Sequence, residues 1–564
     1  MDFSNNINYN SRDEYNCLIQ KKRVRSTSIS NKSLLSISSI NKEIFESLDI
    51  ESSNNDIQKS LVNIALPIVF GFVQYLILST FIFYCVSNRN IEITEGKSIL
   101  FIYYYTISIS LLWSLSIGYE IKGSNLFGKL NDIKNNVNLS DNIKLMKSNV
   151  ILRKINKLTA SVFVIYFYTN ILLIIFSIFI APIIVRKLPF STQATSNFST
   201  EIILLSFTFP QLSLLTIIMK IVNLLQNNSI LNFSNFVSTI VHIIVSYIIL
   251  RQLRIDAYGM GISYFCTYTV NSIILLINYQ YSNNYGIDLF KILKSTNFLS
   301  IFKLKNKNKS NKVNKTNEES FNYSNSEYSL DVNIYDFELN AKYIFNNLKF
   351  SFYPAINMLI IIISSECNTY TSILISNLDF TVMSVYFNLF GLLSQFFEAL
   401  SNSMIVLISY FIGKYNEKMI WRIFYQTIKI ALIVNVFLVF FLYLNCNFIF
   451  YYFYSNQITF VKIANSGSLI FTFILFFANL NFPLSEFIIV TGYKRFAVYN
   501  SIFIRLGLQL FVNFILVYFF NYGLTSIMRI WLLTQISTML VLLTKIFIIK
   551  KNKINLKLAN IDHN

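Results

Sequence analysis

The sequence predicts an all-helical, polytopic membrane protein with about twelve transmembrane helices in two six-helix lobes. Hydrophobic residues make up 54% of the 564 residues, charged residues only 13%, and the mean hydropathy is +0.50. A soluble protein of this size carries about a quarter charged residues. The long apolar stretches point to helices, because a helix bonds all its backbone groups within one segment and can therefore cross lipid.

Twelve mostly apolar stretches of about 20 residues or more are each long enough to cross a ~30 Å hydrocarbon core as a helix. The least distinct boundary separates the fourth stretch from the fifth, which only four polar residues divide. The predicted spans are 61–87, 98–121, 156–184, 201–225, 230–252, 257–280, 345–374, 380–412, 421–452, 461–490, 497–520 and 524–549.

Polar segments divide the chain into five predicted regions. Two of them are rich in Ser, Asn and Lys and cannot bury an apolar core, so we expect them to be disordered. The regions are a disordered cytoplasmic segment 1–60, a first lobe 61–280, a disordered basic and Asn-rich cytoplasmic linker 281–344, a second lobe 345–549 and a basic cytoplasmic tail 550–564.

The net charge of +19 is concentrated outside the predicted spans. Cytoplasmic loops are enriched in Lys and Arg, so both termini are expected in the cytoplasm. We expect no nucleic-acid partner, because no basic fold remains once the spans are removed. Anionic lipid head groups are an expected contact of the basic loops. The plasma membrane and an acidic internal compartment both fit this pattern.

The two halves of the chain repeat one pattern. Each half opens with a proline-bearing span, with Pro67 in the first and Pro354 in the second. Each second span ends in a glycine before a polar segment, at 117–125 and 409–416. Two matching lobes around a central cavity are typical of secondary transporters.

This pattern resembles the multidrug and toxic compound extrusion (MATE) family over roughly 60–280 and 343–550. Pro354 opens the seventh span, and Glu366 follows where the family carries an acid. The segment 411–416 is similar to the family's N-x-L-G-x-G-(N/D) end of the eighth span. The resemblance implies a divergent eukaryotic member with a MATE-like fold.

Three acids that the resemblance implies are replaced in this chain. Eukaryotic members usually carry a second acid five residues before the first, and here that position is Ile361. The acid of the eighth span is replaced by Asn388, and that of the tenth falls near 477–478 and is missing.

Glu366 is the leading candidate for the transport site. A carboxylate inside a span costs at least ~2.5 kcal/mol on insertion scales, and such residues usually face a cavity or a substrate path. If Glu366 binds either a proton or an organic cation, the two compete, and this competition produces antiport. The alternative is a carboxyl that caps hydroxyls on a neighbouring helix.

Four further residues complete the predicted substrate and proton site. Glu398 lies in the eighth span and either replaces a missing acid or meets a polar group such as Gln395. Asn388 can orient a substrate by hydrogen bonding. Gln74 either lines the first-lobe cavity or bridges helices. Tyr370, one turn beyond Glu366, can stack on a planar cation.

Two prolines are candidate hinges, because a proline removes a backbone donor from its helix. In the MATE family a bent first span accompanies alternating access, so the resemblance implies that Pro67 and its counterpart Pro354 act in this way.

The predicted function is export of organic, cationic solutes or drugs in exchange for protons. One alternative is a flippase for a lipid-linked or anionic substrate, which needs basic residues in the cavity. Its candidates are Lys220, Lys429, Arg505 and Arg529. The other alternative is a membrane receptor or scaffold that has lost transport.

Enzyme chemistry is not predicted. The sequence has no GxxxxGK[ST] motif, which argues against ATP-driven transport. The five cysteines are scattered without a CxxC, so no metal site is expected. Transport is expected to couple to an H⁺ or Na⁺ gradient without a cofactor. The expected partners are a small-molecule substrate, the coupling ion and membrane lipid, and the protein is expected to be a monomer.

Overall fold

The computed structural model describes residues 53–86, 96–97, 99–100, 103–104, 111–187, 192–225, 228–255, 258–282, 287–296, 333–454, 458–520 and 522–554. Within these ranges the backbone is helical almost throughout and contains no strand. The predicted all-helical class is confirmed.

The first half of the chain contains eight described helices. Helix α3 passes through a π-helical turn at Phe176–Ile180, and α6 continues into another at Tyr247–Gln252. The helices are α1 (Asn54–Val86), α2 (Ser114–Asn135), α3 (Asp141–Val185), α4 (Thr192–Ser206), α5 (Thr208–Leu225), α6 (Asn228–Ser246), α7 (Gly259–Ser282) and α8 (Leu289–Ser295).

The second half contains seven. Two π-helical segments, Ile489–Tyr493 and Ser501–Phe511, join α12 to α13 and α13 to α14. The helices are α9 (Ala341–Ile373), α10 (Asn377–Gly413), α11 (Glu417–Tyr454), α12 (Ile458–Ile488), α13 (Lys494–Asn500), α14 (Val512–Phe520) and α15 (Leu524–Asn552).

Helical residues occur at each of the twelve predicted spans. Among the described residues, eight helices are long and apolar enough to cross a membrane, and α4 with α5 form a ninth if taken as one bent span. The longest apolar run, Thr459–Phe520, covers two predicted spans. Its backbone breaks at Gly492, where φ is 98°, a conformation that glycine adopts without steric cost. The predicted count of about twelve is compatible with these helices.

The predicted fourth span is longer than expected and bent by 46° between α4 and α5. Pro210 explains the bend, because its ring nitrogen cannot donate to the carbonyl of Ser206 one turn earlier. The hydroxyl of Thr208 donates 2.6 Å to the Leu205 carbonyl at the break. A side-chain hydrogen bond thus satisfies a carbonyl at the point where the backbone hydrogen bonds of the helix are interrupted.

The predicted linker 281–344 contains a short helix, α8, that the prediction of disorder missed. The Asp288 side chain accepts hydrogen bonds from the backbone of Phe290 and Lys291, and Leu289 and Ile292 are buried. The N-cap and these two buried side chains are enough to hold the short helix α8 against the rest of the protein. Helix α1 likewise begins at Asn54, inside the predicted head, because Ser53 and Asp56 bond reciprocally. Residues 1–52, 297–332 and 555–564 lie outside the described residues.

The two lobes meet where α1 and α2 pack against α9 and α10. Three glycines allow this contact. A Cβ on Gly128 would lie 2.1 Å from the Tyr410 carbonyl oxygen, and one on Gly413 would lie 2.2 Å from that of Asn125. A Cβ on Gly118 would lie 2.1 Å from the Ser351 hydroxyl. The predicted glycine-bearing segments 117–125 and 409–416 therefore both take part in one close contact between the lobes. We call this contact, at Gly118, Gly128 and Gly413, the interlobe seal.

Polar side chains surround the interlobe seal. Lys122 Nζ donates 2.7 Å to Asn347 Oδ1, and Asn347 Nδ2 donates 2.8 Å to the Ser161 hydroxyl. Gln58 on α1 donates 2.7 Å to Gln426 on α11. These contacts lie at the end of the bundle where α10 ends and α11 begins, next to predicted cytoplasmic loops. The lobes are therefore closed against each other at that end.

Gly128→Ala should destabilise the protein by about 1–3 kcal/mol, because the added methyl group overpacks the seal. The matched control is Gly391→Ala, whose Cβ would meet nothing within 4 Å. That control should be neutral or gain up to about 1 kcal/mol from helix propensity. Thermal unfolding in detergent measures both, and equal effects of the two substitutions would contradict the seal.

Candidate functional site

The first lobe encloses a cavity of about 70 Å³ between α1, α5, α6 and α7. Gln74 lines it and donates 2.7 Å to the Ser238 hydroxyl, so it lines the cavity and bridges helices at once. Asn271 donates 3.2 Å to Asn235. Asn235 Nδ2 and Asn271 Oδ1 have no further partner among the described residues. The cavity therefore offers a neutral donor and a neutral acceptor.

His242 lies beside this cavity and is engaged at both ring nitrogens. Nε2 donates 3.1 Å to the Leu78 carbonyl, and Nδ1 lies 2.8 Å from the Thr267 hydroxyl. The side chain is fully buried. These contacts make His242 a hydrogen-bonding link from α6 to α1 and α7.

A buried ion pair joins α2 to α5 in the first lobe. Lys220 Nζ lies 2.6 Å from Glu120 Oε2, and both side chains are fully buried. The ammonium also lies 4.2 Å from the ring centroid of Trp113, which lines the first-lobe cavity. Lys122, two residues further along α2, is not the partner of Glu120. Residues two apart on a helix do not face each other, and Lys122 instead bonds Asn347.

The charge of Lys220, in the first lobe, also interacts with two acids of the second lobe. Glu398 on α10 and Glu486 on α12 both lie close enough to Lys220 to interact with its charge, and Glu486 interacts with Glu120 and Glu398 as well. Three carboxylates and one ammonium therefore form an interlobe charge cluster of Glu120, Lys220, Glu398 and Glu486. The suggested partners of Glu398 bond elsewhere: Gln395 donates to the Gly391 carbonyl, and Ser394 to Asn479.

Glu366 lies apart from this cluster. Its side chain on α9 is 5% exposed, and neither carboxylate oxygen has a hydrogen-bond partner among the described residues. Tyr370, half-buried one turn later, is close enough to interact with it electrostatically. The structure therefore does not join Glu366 and Glu398 into one acidic site.

For Asn388 and the two hinge candidates, Pro67 and Pro354, the structure shows the helix in which each residue lies and no interaction that tests its predicted role. Asn388 lies within α10, but its side chain is outside the described part of the structure. Pro67 and Pro354 lie inside α1 and α9, the first helix of each lobe. The roles of all three stay predictions.

The second lobe contains a smaller cavity of about 10 Å³ between α9, α10, α12, Ser501–Phe511 and α15. Its polar lining consists of a carboxylate, a guanidinium, two amides and a hydroxyl, and the rest is apolar. The lining residues are Met358, Ile361, Phe390, Ala478, Asn481, Phe482, Ser485, Glu486, Arg505 and Gln535.

Arg505 belongs to a buried polar stripe, one residue every four, formed by Ser501, Arg505, Gln509 and Asn513. Three contacts hold the stripe against α9. Ser501 donates 2.6 Å to Asn357, Gln509 donates 3.1 Å to the Ser364 carbonyl, and Asn513 donates 2.7 Å to Asn368. Ile361, between these contacts on α9, lines the same cavity as Arg505.

Residues 354–515, within this second lobe, match the MatE family model. This chain carries a MatE domain within a MATE transporter fold. The eukaryotic MATE transporter AtDTX14 matches with a TM-score of 0.69 at 14% identity, covering 90% of this chain and 98% of that one. The resemblance predicted from the sequence is confirmed.

Two other solved structures give similar matches. The outward-facing conformation of a multidrug resistance MATE family transporter of the MOP superfamily has a TM-score of 0.66 at 13% identity, covering 88% of this chain and 97% of that one. A MATE protein in the bent conformation gives 0.65 at 13% identity, with coverage of 88% and 97%. Comparison with curated proteins gives no significant sequence match. At these identities the structural likeness shows the fold.

Within this MATE fold, the four candidate basic residues have different surroundings. Lys429 and Arg529 are exposed, and Lys220 is paired with Glu120. Arg505 lines the second-lobe cavity, at the level where the family resemblance implies an acid and Ile361 stands instead.

Two features of the structure were not predicted from the sequence. The buried ion pair of Lys97 and Glu201 ties the residue just before the predicted second span to α4, and Glu201 also accepts from the Met260 backbone. The polar stripe was visible in the sequence as four polar residues at four-residue spacing in an otherwise apolar span, and that periodicity was the available signal.

Glu120→Gln should destabilise the protein by about 3–5 kcal/mol, because it leaves the Lys220 ammonium buried without its direct partner. Lys220→Met in the same background should recover much of that loss, since it removes the orphaned charge. A double-mutant cycle measured by thermal unfolding gives the coupling. Strictly additive effects of the two substitutions would show that the pair does not act as a unit.

Proposed function

We propose that this protein is a secondary active transporter that exports organic, cationic solutes in exchange for protons, with Glu366 as the proton-binding residue. The observation that carries the proposal is the burial of Glu366 inside α9 with no partner for either carboxylate oxygen. A structural carboxylate would be expected to bond a donor, because an unpaired buried charge is costly.

The coupling follows from competition at one group. A protonated Glu366 is neutral and tolerates its apolar surroundings. When the site opens to solvent on one side, the proton leaves and the carboxylate can attract an organic cation. The protein changes the side to which its site opens with either the proton or the cation bound, so the two ligands cross the membrane in opposite directions.

The surroundings of Glu366 favour a proton over a metal cation as the coupling ion. Hard metal cations need several converging oxygen ligands. Glu366 has no polar partner among the described residues, and those residues contain no cluster of metal-binding side chains around it. A proton needs only the carboxylate itself.

Alternating access would use the interlobe seal and the two prolines. The seal closes the predicted cytoplasmic end, so solute from the cytoplasm can enter only when α1 and α2 part from α9 and α10. Pro67 and Pro354 lie in two of these four helices and lack a backbone donor, which lowers the cost of bending there.

The solute would contact both lobes. In the first lobe, Gln74, Asn235 and Asn271 offer neutral hydrogen-bonding groups. In the second lobe, Tyr370 lies beside Glu366, and Asn388 and Glu398 lie on α10. Glu398, Glu120 and Glu486 all interact with the one positive charge of Lys220. We therefore assign Glu398 to the stabilisation of the Lys220 charge at the lobe interface and not to proton coupling.

The chain is an integral, multi-pass membrane protein. We infer that its termini face the cytoplasm, that it acts as a monomer among membrane lipids, and that it has no nucleic-acid partner. The basic residues near its predicted cytoplasmic loops support that orientation.

The test is uptake of a fluorescent organic cation, rhodamine 6G, into proteoliposomes with an imposed proton gradient. Wild-type protein should show gradient-dependent flux, and Glu366→Gln should lose it by about tenfold or more, because the amide cannot exchange a proton. Glu338→Gln is the matched control, since Glu338 is exposed just before the same helix and should leave flux unchanged.

Flux that persists in Glu366→Gln would exclude Glu366 as the coupling acid. Flux that is absent from wild-type protein and both variants would contradict cation antiport itself.

A further inference from the structure

We propose that the second-lobe cavity binds a carboxylate group of the transported solute through Arg505 and Gln535. The proposal rests on the transport function given above and narrows its substrate class. The solute would carry a carboxylate in addition to its cationic group, so it would be an amphipathic zwitterion and not a simple organic cation.

Arg505 is a charged residue buried in the second lobe, without an ion-pair partner among the described residues. Its side chain is 6% exposed and lines the cavity, and Nε has no hydrogen-bond partner. No carboxylate of the described residues lies within ion-pairing distance of it. A guanidinium stays charged in proteins, and an unpaired buried ion costs several kcal/mol. An anionic ligand would satisfy this group.

Gln535 aims a second unsatisfied donor into the same cavity. Its side chain is 1% exposed, and Nε2 has no partner. The amide is held by Asn481, whose Nδ2 donates 3.0 Å to Gln535 Oε1 and 3.0 Å to the Gln535 backbone carbonyl. These bonds occupy the oxygen end of the amide and leave the NH₂ group available.

Two donors without acceptors, one of them charged, match the chemistry of a carboxylate. Its two oxygens can accept from the guanidinium and from the amide together, and charge-assisted bonds of this kind are among the strongest in proteins. Met358, Phe390 and Phe482 supply apolar surface for the rest of the solute. The cavity holds about 10 Å³ here, so the ligand would enter when the surrounding helices separate.

One acid lines the cavity together with Arg505. Glu486 makes no ion pair with Arg505, interacts with the charge of Lys220, and has no hydrogen-bond partner at Oε2 among the described residues. Ile361 lines the cavity at the position where the family resemblance implies an acid. The cavity therefore offers a guanidinium and a carboxylate that do not pair with each other, so both charges of a zwitterionic solute can find an opposite charge there.

Two fluorescent probes that differ only in a carboxylate test this site on the purified full-length protein. Nε-dansyl-lysine is a zwitterion, and dansylcadaverine is the same molecule without the carboxylate. Equilibrium binding in nanodiscs, without a proton gradient, should show about 10- to 100-fold tighter binding of dansyl-lysine, the range expected for a hydrogen-bonded charged group.

Arg505→Gln should abolish the preference for dansyl-lysine over dansylcadaverine, because the neutral amide cannot pair with the carboxylate. The matched control is Arg529→Gln, which removes an exposed arginine from α15 and should keep the preference. Gln535→Leu should reduce it by several-fold. Ile361→Glu should also reduce it, because the new carboxylate would supply Arg505 with an internal counter-ion.

Equal binding of the two probes by wild-type protein would overturn the proposal, as would a preference that survives Arg505→Gln. If Arg505→Gln does not give monodisperse protein, Gln535→Leu and Ile361→Glu decide the question, and an unchanged preference in both overturns it. Because binding is measured without a gradient, the result is separate from the Glu366 flux experiment. Gradient-driven cation flux without a carboxylate preference would leave the proposed transport function standing and remove only this site.

Discussion

A charged side chain in the middle of a bilayer has no water to solvate it, so its energy depends on the partners that the fold provides. In the first lobe those partners are present: Lys220 pairs with Glu120, and Lys97 pairs with Glu201. In the second lobe Glu366 and Arg505 are buried without an ion-pair partner among the described residues. The satisfied pairs hold helices together, whereas the two unpaired groups are the ones to which we assign ligands in the proposals above.

The fold could largely be predicted from the sequence, because hydropathy is a local property and a membrane span is a long local pattern. The fold class and the positions of the spans followed from it, and the repeated proline and glycine segments led to the MATE resemblance. Details that depend on tertiary contacts did not follow. The α4–α5 bend needs the geometry around Pro210, and α8 docks through only two buried residues.

The candidate site was less predictable. Gln74 could be assigned to a cavity from its depth in an apolar span, but the partner of Glu120 lies 100 residues away and no local pattern reveals it. The lack of a partner at Arg505 is likewise a property of the whole second lobe. Together these contacts make the lobes unequal: the first presents neutral amides to its cavity, and the second presents a guanidinium and a carboxylate that do not pair with each other.

The interlobe seal has a consequence for leakage. Because Gly128 and Gly413 rest directly against the carbonyl oxygens of the opposite lobe, no side chain separates the two backbones at these two positions. A slight separation would lose the packing without admitting enough water to solvate those carbonyls. If the lobes move as the proposed transport requires, this favours opening of the seal in one step and disfavours a narrow gap through which ions could leak.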